Sequence, residues 1–409
     1  MKKRVFVFCF VFLAASVFSQ NEKFPRLTPD PKAAEYGSIP NYSWKDMAEI
    51  SLWASGVDPY AQVTLNKAKT TYMAVLESLV EELSGAAGQG GGAAQSGDTE
   101  KAEAVLRFMY EKTLKRYSLN QTQLDVLLSA GTYNCVSSAV FYLILGTSVG
   151  LDIKGVVTRD HAFITVETGG DLIDIETTNK FGFNPGSKKE FTDDFGKTTG
   201  FAYVPPGNYR NRAEISPIEL VSLIISNRIA ALESRKKFTD ALPLAIDRAA
   251  LLEKRGNPVD SPLFSDPAAD RMDRIFNVAG SLLNSRKEED VLAFADYAMP
   301  VYPGDSRWEE IQYNAVNNII AKYLRANKIE DAKTALAENQ NRYAAKQREQ
   351  LDGIVAKAEA VSFHNQFATL FNRRKYDDAK AILELALRTF PEDRQLNRDR
   401  ETMNKAVPQ

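Results

Sequence analysis

Few side chains in this chain can do covalent chemistry. It has two cysteines and two histidines in 409 residues. One of each falls between Gly131 and Thr178, where Cys135 opens an apolar run and His161 opens an alternating one. Val136, Ala139, Val140, Leu143 and Ile144 recur at helical spacing, which predicts Cys135 in the first turn of a helix with Thr132 or Asn134 as its N-cap. A helix N-terminus carries partial positive charge on its unpaired N–H groups and so favours thiolate, the nucleophilic form of cysteine. An imidazole nearby completes a nucleophile–base pair, and a carboxylate behind it holds the tautomer. Cys135 and His161 are therefore candidates for acyl chemistry at a carbonyl.

The elements that must position them read as a helix followed by a hairpin. Ile153 to Thr158 is predicted as a buried strand. Ala162 to Glu167 and Leu172 to Glu176 alternate around Gly169-Gly170, a hairpin signal. Ala162, Ile164 and Val166 share one face, leaving His161 with Phe163 and Thr165 on the other. Ile173 and Ile175 likewise leave Asp174 and Glu176 together. If the two glycines form a two-residue turn, Thr168 pairs with Asp171 and Phe163 with Glu176. His161 then lies two residues from Glu176 and four from Asp174, about 7 Å against about 13 Å at roughly 3.3 Å per residue. Glu176 ranks first as the acid and Asp174 second; a wider loop or a bulge reverses the order.

In this order of cysteine at a helix start, histidine opening a strand and acid on the next strand, the segment resembles the transglutaminase-like superfamily of papain-type cysteine enzymes. "HAFITV…LIDIETT" is similar to that family's His-Ala-aromatic, hairpin, acidic-residue pattern. The chain has Glu-Thr-Thr where Asp-Pro-Thr is common, and a short Cys-to-His segment. The resemblance covers roughly residues 100 to 205. It implies Cys135 as nucleophile, His161 as base and Glu176 as acid.

The first nineteen residues have the form of a secretory signal, with Lys2, Lys3 and Arg4 before an apolar run and Val17 and Ser19 at the cleavage positions. The run is shorter than the ~20 residues of a membrane span. The expectation is an exported protein, periplasmic or secreted, with no membrane span after signal cleavage. Cys9 leaves with the signal, which makes Cys135 a lone thiol that is either buried or used. Losing three signal cations takes Lys plus Arg from 51 to 48 against 53 acids, a net charge of −5. That offers no footprint for nucleic acid. Neither a phosphate loop nor a metal-ligand spacing is present, so no cofactor and no metal are expected.

Around this centre, residues 20–40 read as Pro-rich and extended, Trp44 to Ala54 and Tyr60 to Leu83 as helices, and Gly85 to Asp98 as a Gly-rich linker. Asp98 to Tyr117 is a helix leading into the cysteine domain, and Phe181 to Gly207 is loop-rich, with Phe181, Phe183, Phe201 and Tyr203 covering the hairpin or, as the second reading, lining a groove beside the cysteine. Pro217 to Arg235 is a helix apolar on nearly every side. Beyond it Asp240, Asp290, Asp331 and Asp378 recur at intervals of 50, 41 and 47 residues, each early in a helix. The last unit, KYDDAKAILELALRTFP, resembles the second helix of a tetratricopeptide repeat through Ala379, Leu383, Ala386 and Pro391. His364 lies in this region and is read as a packing or surface histidine.

The expected architecture is α+β: a signal peptide (1–19), a helical segment and linker (20–98), a small transglutaminase-like helix-plus-antiparallel-sheet domain (99–207) and an all-α tetratricopeptide-like solenoid (208–409). Two functions follow. One is a cysteine hydrolase or acyl-transferase acting on amide bonds of a protein or peptide, with the repeats presenting substrate or a protein partner. The alternative is a non-catalytic binding scaffold whose cysteine domain is structural.

Overall fold

The computed structural model describes residues 23–65, 68–89, 97–186, 188–200, 211–255 and 261–406. The expected signal, the middle of the Gly-rich stretch, and Phe201 and Tyr203 lie outside the described residues. The fold is mostly helical with a few small sheets, a mixed α+β architecture. Among the described residues no helix is long and apolar enough to cross a membrane.

In chain order the elements are α1 (Pro31–Tyr36), α2 (Trp44–Ser55), β1 (Gln62–Leu65), β2 (Ala68–Thr71), α3 (Tyr72–Gln89), α4 (Asp98–Lys112), β3 (Arg116–Tyr117), α5 (Leu124–Ala130), β4 (Thr132–Tyr133) and α6 (Cys135–Ser148). Then follow β5 (Ile153–Val157), β6 (Ala162–Thr168), β7 (Asp171–Ile175), α7 (Lys189–Thr199), β8 (Ala213–Ile215), α8 (Pro217–Glu233) and α9 (Phe238–Leu252). The remainder is helical: α10 (Pro267–Asn284), α11 (Glu288–Ala298), α12 (Arg307–Arg325), α13 (Ile329–Glu338), α14 (Ala345–Asn372), α15 (Tyr376–Thr389) and α16 (Arg394–Ala406). The chain divides into two compact units, Met1–Arg274 and Ile275–Gln409, the division falling within α10.

Helix α6 is the centre of the first unit. Every residue from Cys135 to Gly146 is buried, so the helix needs a neighbour on each side. It packs against α2, α4, α5 and α8, and against β5 and β6. The sheet has the order β7-β6-β5-β8, antiparallel throughout. Its hairpin keeps the expected register, with Thr168 opposite Asp171 and Ile164 opposite Ile175. Gly169 and Gly170 have φ of 58° and 94°, the left-handed pair that a type I′ turn requires.

Several elements differ from the sequence reading. A short helix, α1, interrupts the expected extended segment, with Asp30 accepting from the Lys32 N–H and Pro31 at its first position. The helix expected from Tyr60 starts only at Tyr72, because the β-branched Val63, Thr64, Thr70 and Thr71 pair in the β1–β2 hairpin. Helix α3 continues through Gly85 to Gln89. The loop-rich segment contains α7, anchored by buried Phe191 and Phe195 at i and i+4. The repeats were expected from residue 208, yet β8, α8 and α9 belong to the first unit: β8 completes the sheet beside β5, and α8 packs on α2, α6 and α9.

One turn joins helices four times. Lys236, Arg286, Asn327 and Arg374 have φ of 59°, 56°, 54° and 59°. The lysine after each donates its N–H to the carbonyl five residues back: Leu232, Leu282, Tyr323 and Leu370, at 2.9–3.1 Å. This is a Schellman closure. The recurrent Asp sits three residues after the lysine, in the first turn of the next helix, where the dipole favours an acid. Two of these lysines reach it, Lys237 to Asp240 at 3.7 Å and Lys328 to Asp331 at 3.5 Å. Within the second unit, small residues such as Ala332, Ala335, Ala379 and Ala386 are buried where successive helices meet.

Candidate active site

The site is built where α6 begins and the β6–β7 hairpin opens. Asn134 caps the helix: its Oδ1 accepts the Ser137 N–H at 3.0 Å, and its own N–H is taken by Ser137 Oγ at 2.9 Å. A second tie holds the cap, since Asn134 Nδ2 donates to the Leu119 carbonyl at 3.1 Å. Cys135 is thereby fixed at the first helical position with 9% of its surface exposed, a free thiol.

His161 immediately precedes β6. Its carbonyl accepts the Thr158 N–H at 2.9 Å, closing the loop from β5. Its Nε2 lies 2.6 Å from Glu176 Oε2, and the ring lines one cavity with Cys135, which is near enough to act on its pKa. With Nε2 turned to the carboxylate, Nδ1 is the nitrogen left for the thiol. Phe195 of α7 meets the imidazole edge-on at 5.8 Å, and Phe163 stacks at 6.3 Å. Burial alone would lower the imidazole's pKa. The Glu176 carboxylate, with its hydrogen bond to the ring and with Cys135 nearby, outweighs that and holds it well above its ordinary value. The pairing with Glu176 thus favours the protonated ring.

Glu176 follows β7 directly and is 3% exposed. Its second oxygen accepts Thr178 Oγ1–H at 2.7 Å and the Thr178 N–H at 3.2 Å. Its backbone N–H is held by the Gly182 carbonyl at 2.8 Å. A Cβ on Gly182 would overlap the Glu176 carbonyl oxygen, so the turn requires glycine there. The four sequence candidates therefore split. Cys135, His161 and Glu176 come together, and Asp174 does not join them. Asp174 takes both Arg212 terminal nitrogens, at 2.8 and 2.9 Å, and the Thr165 hydroxyl at 2.9 Å. Arg212 also lies over the Phe163 ring at 5.3 Å.

Residues that the sequence reading did not single out lock the site from behind. Thr177 Oγ1 lies 2.8 Å from Ser138 Oγ in the first turn of α6. Tyr110 donates to the Thr177 carbonyl at 3.0 Å and meets the Tyr133 hydroxyl at 3.2 Å. The segment carrying Glu176 is thus pinned to the helix carrying Cys135. Burial, and then the nearby Cys135 and Glu176, raise the Tyr117 phenol above its usual range. Nothing in the spacing of these tyrosines announces such contacts.

Cys135 and His161 open onto a cavity of about 450 Å³ whose walls include Leu119, Val157 and, from α8, Leu223 and Asn227. Among the described residues no cluster of three or more His, Cys, Asp or Glu side chains is set to hold a metal ion. His364 lies in the second unit, its Nδ1 2.7 Å from Asp399 Oδ2.

No family model matches the chain. No curated protein matches it either. Among solved structures it is similar to a crystal structure of menin that reveals the binding site for Mixed Lineage Leukemia (MLL) protein. The identity is 12% and the TM-score 0.34, over 81% of this chain and 92% of that one. A score that low carries no argument about fold or function.

Proposed function

We propose that the protein is an exported transglutaminase-like cysteine hydrolase or acyl-transferase that acts on amide bonds of a protein or peptide. One observation carries the reading. Cys135, at the first position of α6, and His161 line one cavity, and the imidazole Nε2 lies 2.6 Å from the buried carboxylate of Glu176. Cys135 attacks the carbonyl carbon, and the oxyanion is received by backbone N–H groups at the helix start, that of Cys135 among them. His161, kept protonated by Glu176, gives its proton to the leaving amine as the C–N bond breaks. Water or an amine then attacks the thioester with His161 as base, which frees the thiol. No cofactor takes part.

The finer architecture fits the same reading: a transglutaminase-like helix and antiparallel sheet, then tetratricopeptide-like repeats that present substrate or a protein partner. The fourfold recurrence of one Schellman turn supports the repeats. The basic and then apolar first nineteen residues support export to the periplasm or beyond.

The test is a burst of p-nitrophenolate from p-nitrophenyl acetate, one equivalent per Cys135. We expect it in the wild type, slowed in His161→Ala and absent in Cys135→Ala. Equal release by Cys135→Ala would refute the enzyme and favour the binding scaffold.

A further inference from the structure

One wall of the cavity plays no part in the chemistry described so far. It comes from α8 and its C-cap, which contribute Asn227, Ala230, Ala231 and Ser234 to the space beside Cys135 and His161. Ala230, Ala231 and Ser234 are small and exposed. Apart from Cys135 and His161, the ionisable lining groups are Arg159 and Asp160, adjacent, exposed and opposite in sign. With the His161 ring already facing the Glu176 carboxylate, a charged group entering the cavity would lose water and meet no unpaired countercharge, a cost that uncharged groups escape. Asn227 is an anchored amide of the wall: its Nδ2 donates to Thr122 Oγ1 at 3.1 Å. That fixes the amide plane, and Oδ1 has no hydrogen-bond partner among the described residues.

We propose that α8 is the specificity wall of the cleft. It selects acyl donors with an uncharged residue beside the reacting carbonyl, and Asn227 Oδ1 accepts that residue's backbone N–H. The inference rests on the proposed Cys135 chemistry and adds a substrate class and a positioning residue to it. An Asn amide held at one end and open at the other suits a peptide N–H, and the alanines beside it leave room for that residue's side chain.

The probes are p-nitrophenyl esters of acetate, N-acetyl-alanine and N-acetyl-glutamate. In each, the Cys135 sulfur bonds the ester carbonyl carbon, the C–O bond breaks, and p-nitrophenolate leaves with the electron pair. The N-acetyl-alanine ester should acylate the wild type at least about tenfold faster, in kcat/KM, than the N-acetyl-glutamate ester. Asn227→Leu should raise KM for the N-acetyl-alanine ester roughly three- to tenfold. The acetate ester has no amide N–H, so its rate should stay within about twofold. Ala231→Trp, on the exposed wall, should slow the N-acetyl-alanine ester more than about tenfold, while iodoacetamide alkylation of Cys135 stays within about twofold. Equal rates with the alanine and glutamate esters, or equal losses on both alanine and acetate esters in Asn227→Leu, would overturn this inference and leave the enzyme reading standing. No burst from the wild type with any ester would overturn the enzyme reading and the specificity wall with it.

Discussion

Replacing Glu176 by Gln tests the site most directly, because the two side chains have the same shape and differ in charge and hydrogen-bond sense. Glu176 accepts on both sides: from His161 through Oε2, and from the Thr178 hydroxyl and N–H through Oε1. Glutamine has one accepting end and one donating end. Turned one way, its NH2 faces His161, and the ring must give up the Nε2 proton. Turned the other way, its NH2 faces the Thr178 N–H, a buried donor that then has no acceptor. A hydrogen bond to a charged group contributes about 1.5–3 kcal/mol, so Cys135 acylation should fall roughly 10- to 150-fold. Asp174→Asn should leave acylation within about threefold, because that carboxylate meets Arg212 and Thr165 and not the imidazole.

The assay is the stopped-flow burst with p-nitrophenyl acetate, run as a pH series for both variants. Glu176 helps keep the imidazolium protonated, so its loss should also move the alkaline limb of the rate profile to lower pH. A Glu176→Gln rate within threefold of wild type, or a larger loss in Asp174→Asn, would refute the assignment of the acid.

Three further outcomes are expected. His161→Ala should slow iodoacetamide alkylation of Cys135 at pH 6.5 by about tenfold or more, since the ring is the thiol's counter-cation; an unchanged rate would break the pair. Gly182→Ala replaces no triad side chain, yet it should cut acylation about tenfold or more, because its Cβ displaces the Glu176 carbonyl and a misplacement of about 1 Å is that costly; a rate within twofold of wild type would show that this turn does not position the acid. For stability, the imidazole binds its proton more tightly folded than unfolded. Its contribution is complete below the unfolded value near 6.5 and is lost as pH rises through the raised folded value. The urea midpoint difference between wild type and His161→Gln should therefore shrink as pH rises above 7, and a difference that grows would contradict the raised pKa.

Much of the site was legible because it depends on local rules. Helical spacing after Cys135 located α6, and the two glycines set a type I′ turn whose register carried Glu176 to the imidazole. The recurrent aspartates marked real helix starts, each following the same Schellman turn. Their uneven intervals reflect elements of different length, such as the 19 residues of α12 and the 28 of α14. Illegible were the parts decided by distant partners. Helix α7 offers two apolar anchors in eleven residues, too sparse a stripe to announce itself between glycines and prolines, though it carries the Phe195 ring against His161. The short β8 depends on Gly155, where any Cβ would crowd Ile215.

The two acids show where the limit lies. Alternation puts Asp174 and Glu176 on the same face of β7, and only about 7 Å of strand separates them. Register favours Glu176, but what removes Asp174 from the competition is Arg212, 38 residues further on, with its fork closed on that carboxylate. An aspartate already bound through both oxygens has little accepting capacity left for an imidazole. Arg212 therefore shapes the site without touching Cys135 or Glu176. It holds Asp174 away, stacks on Phe163 beside His161, and leaves Glu176 as the acid that the imidazole meets.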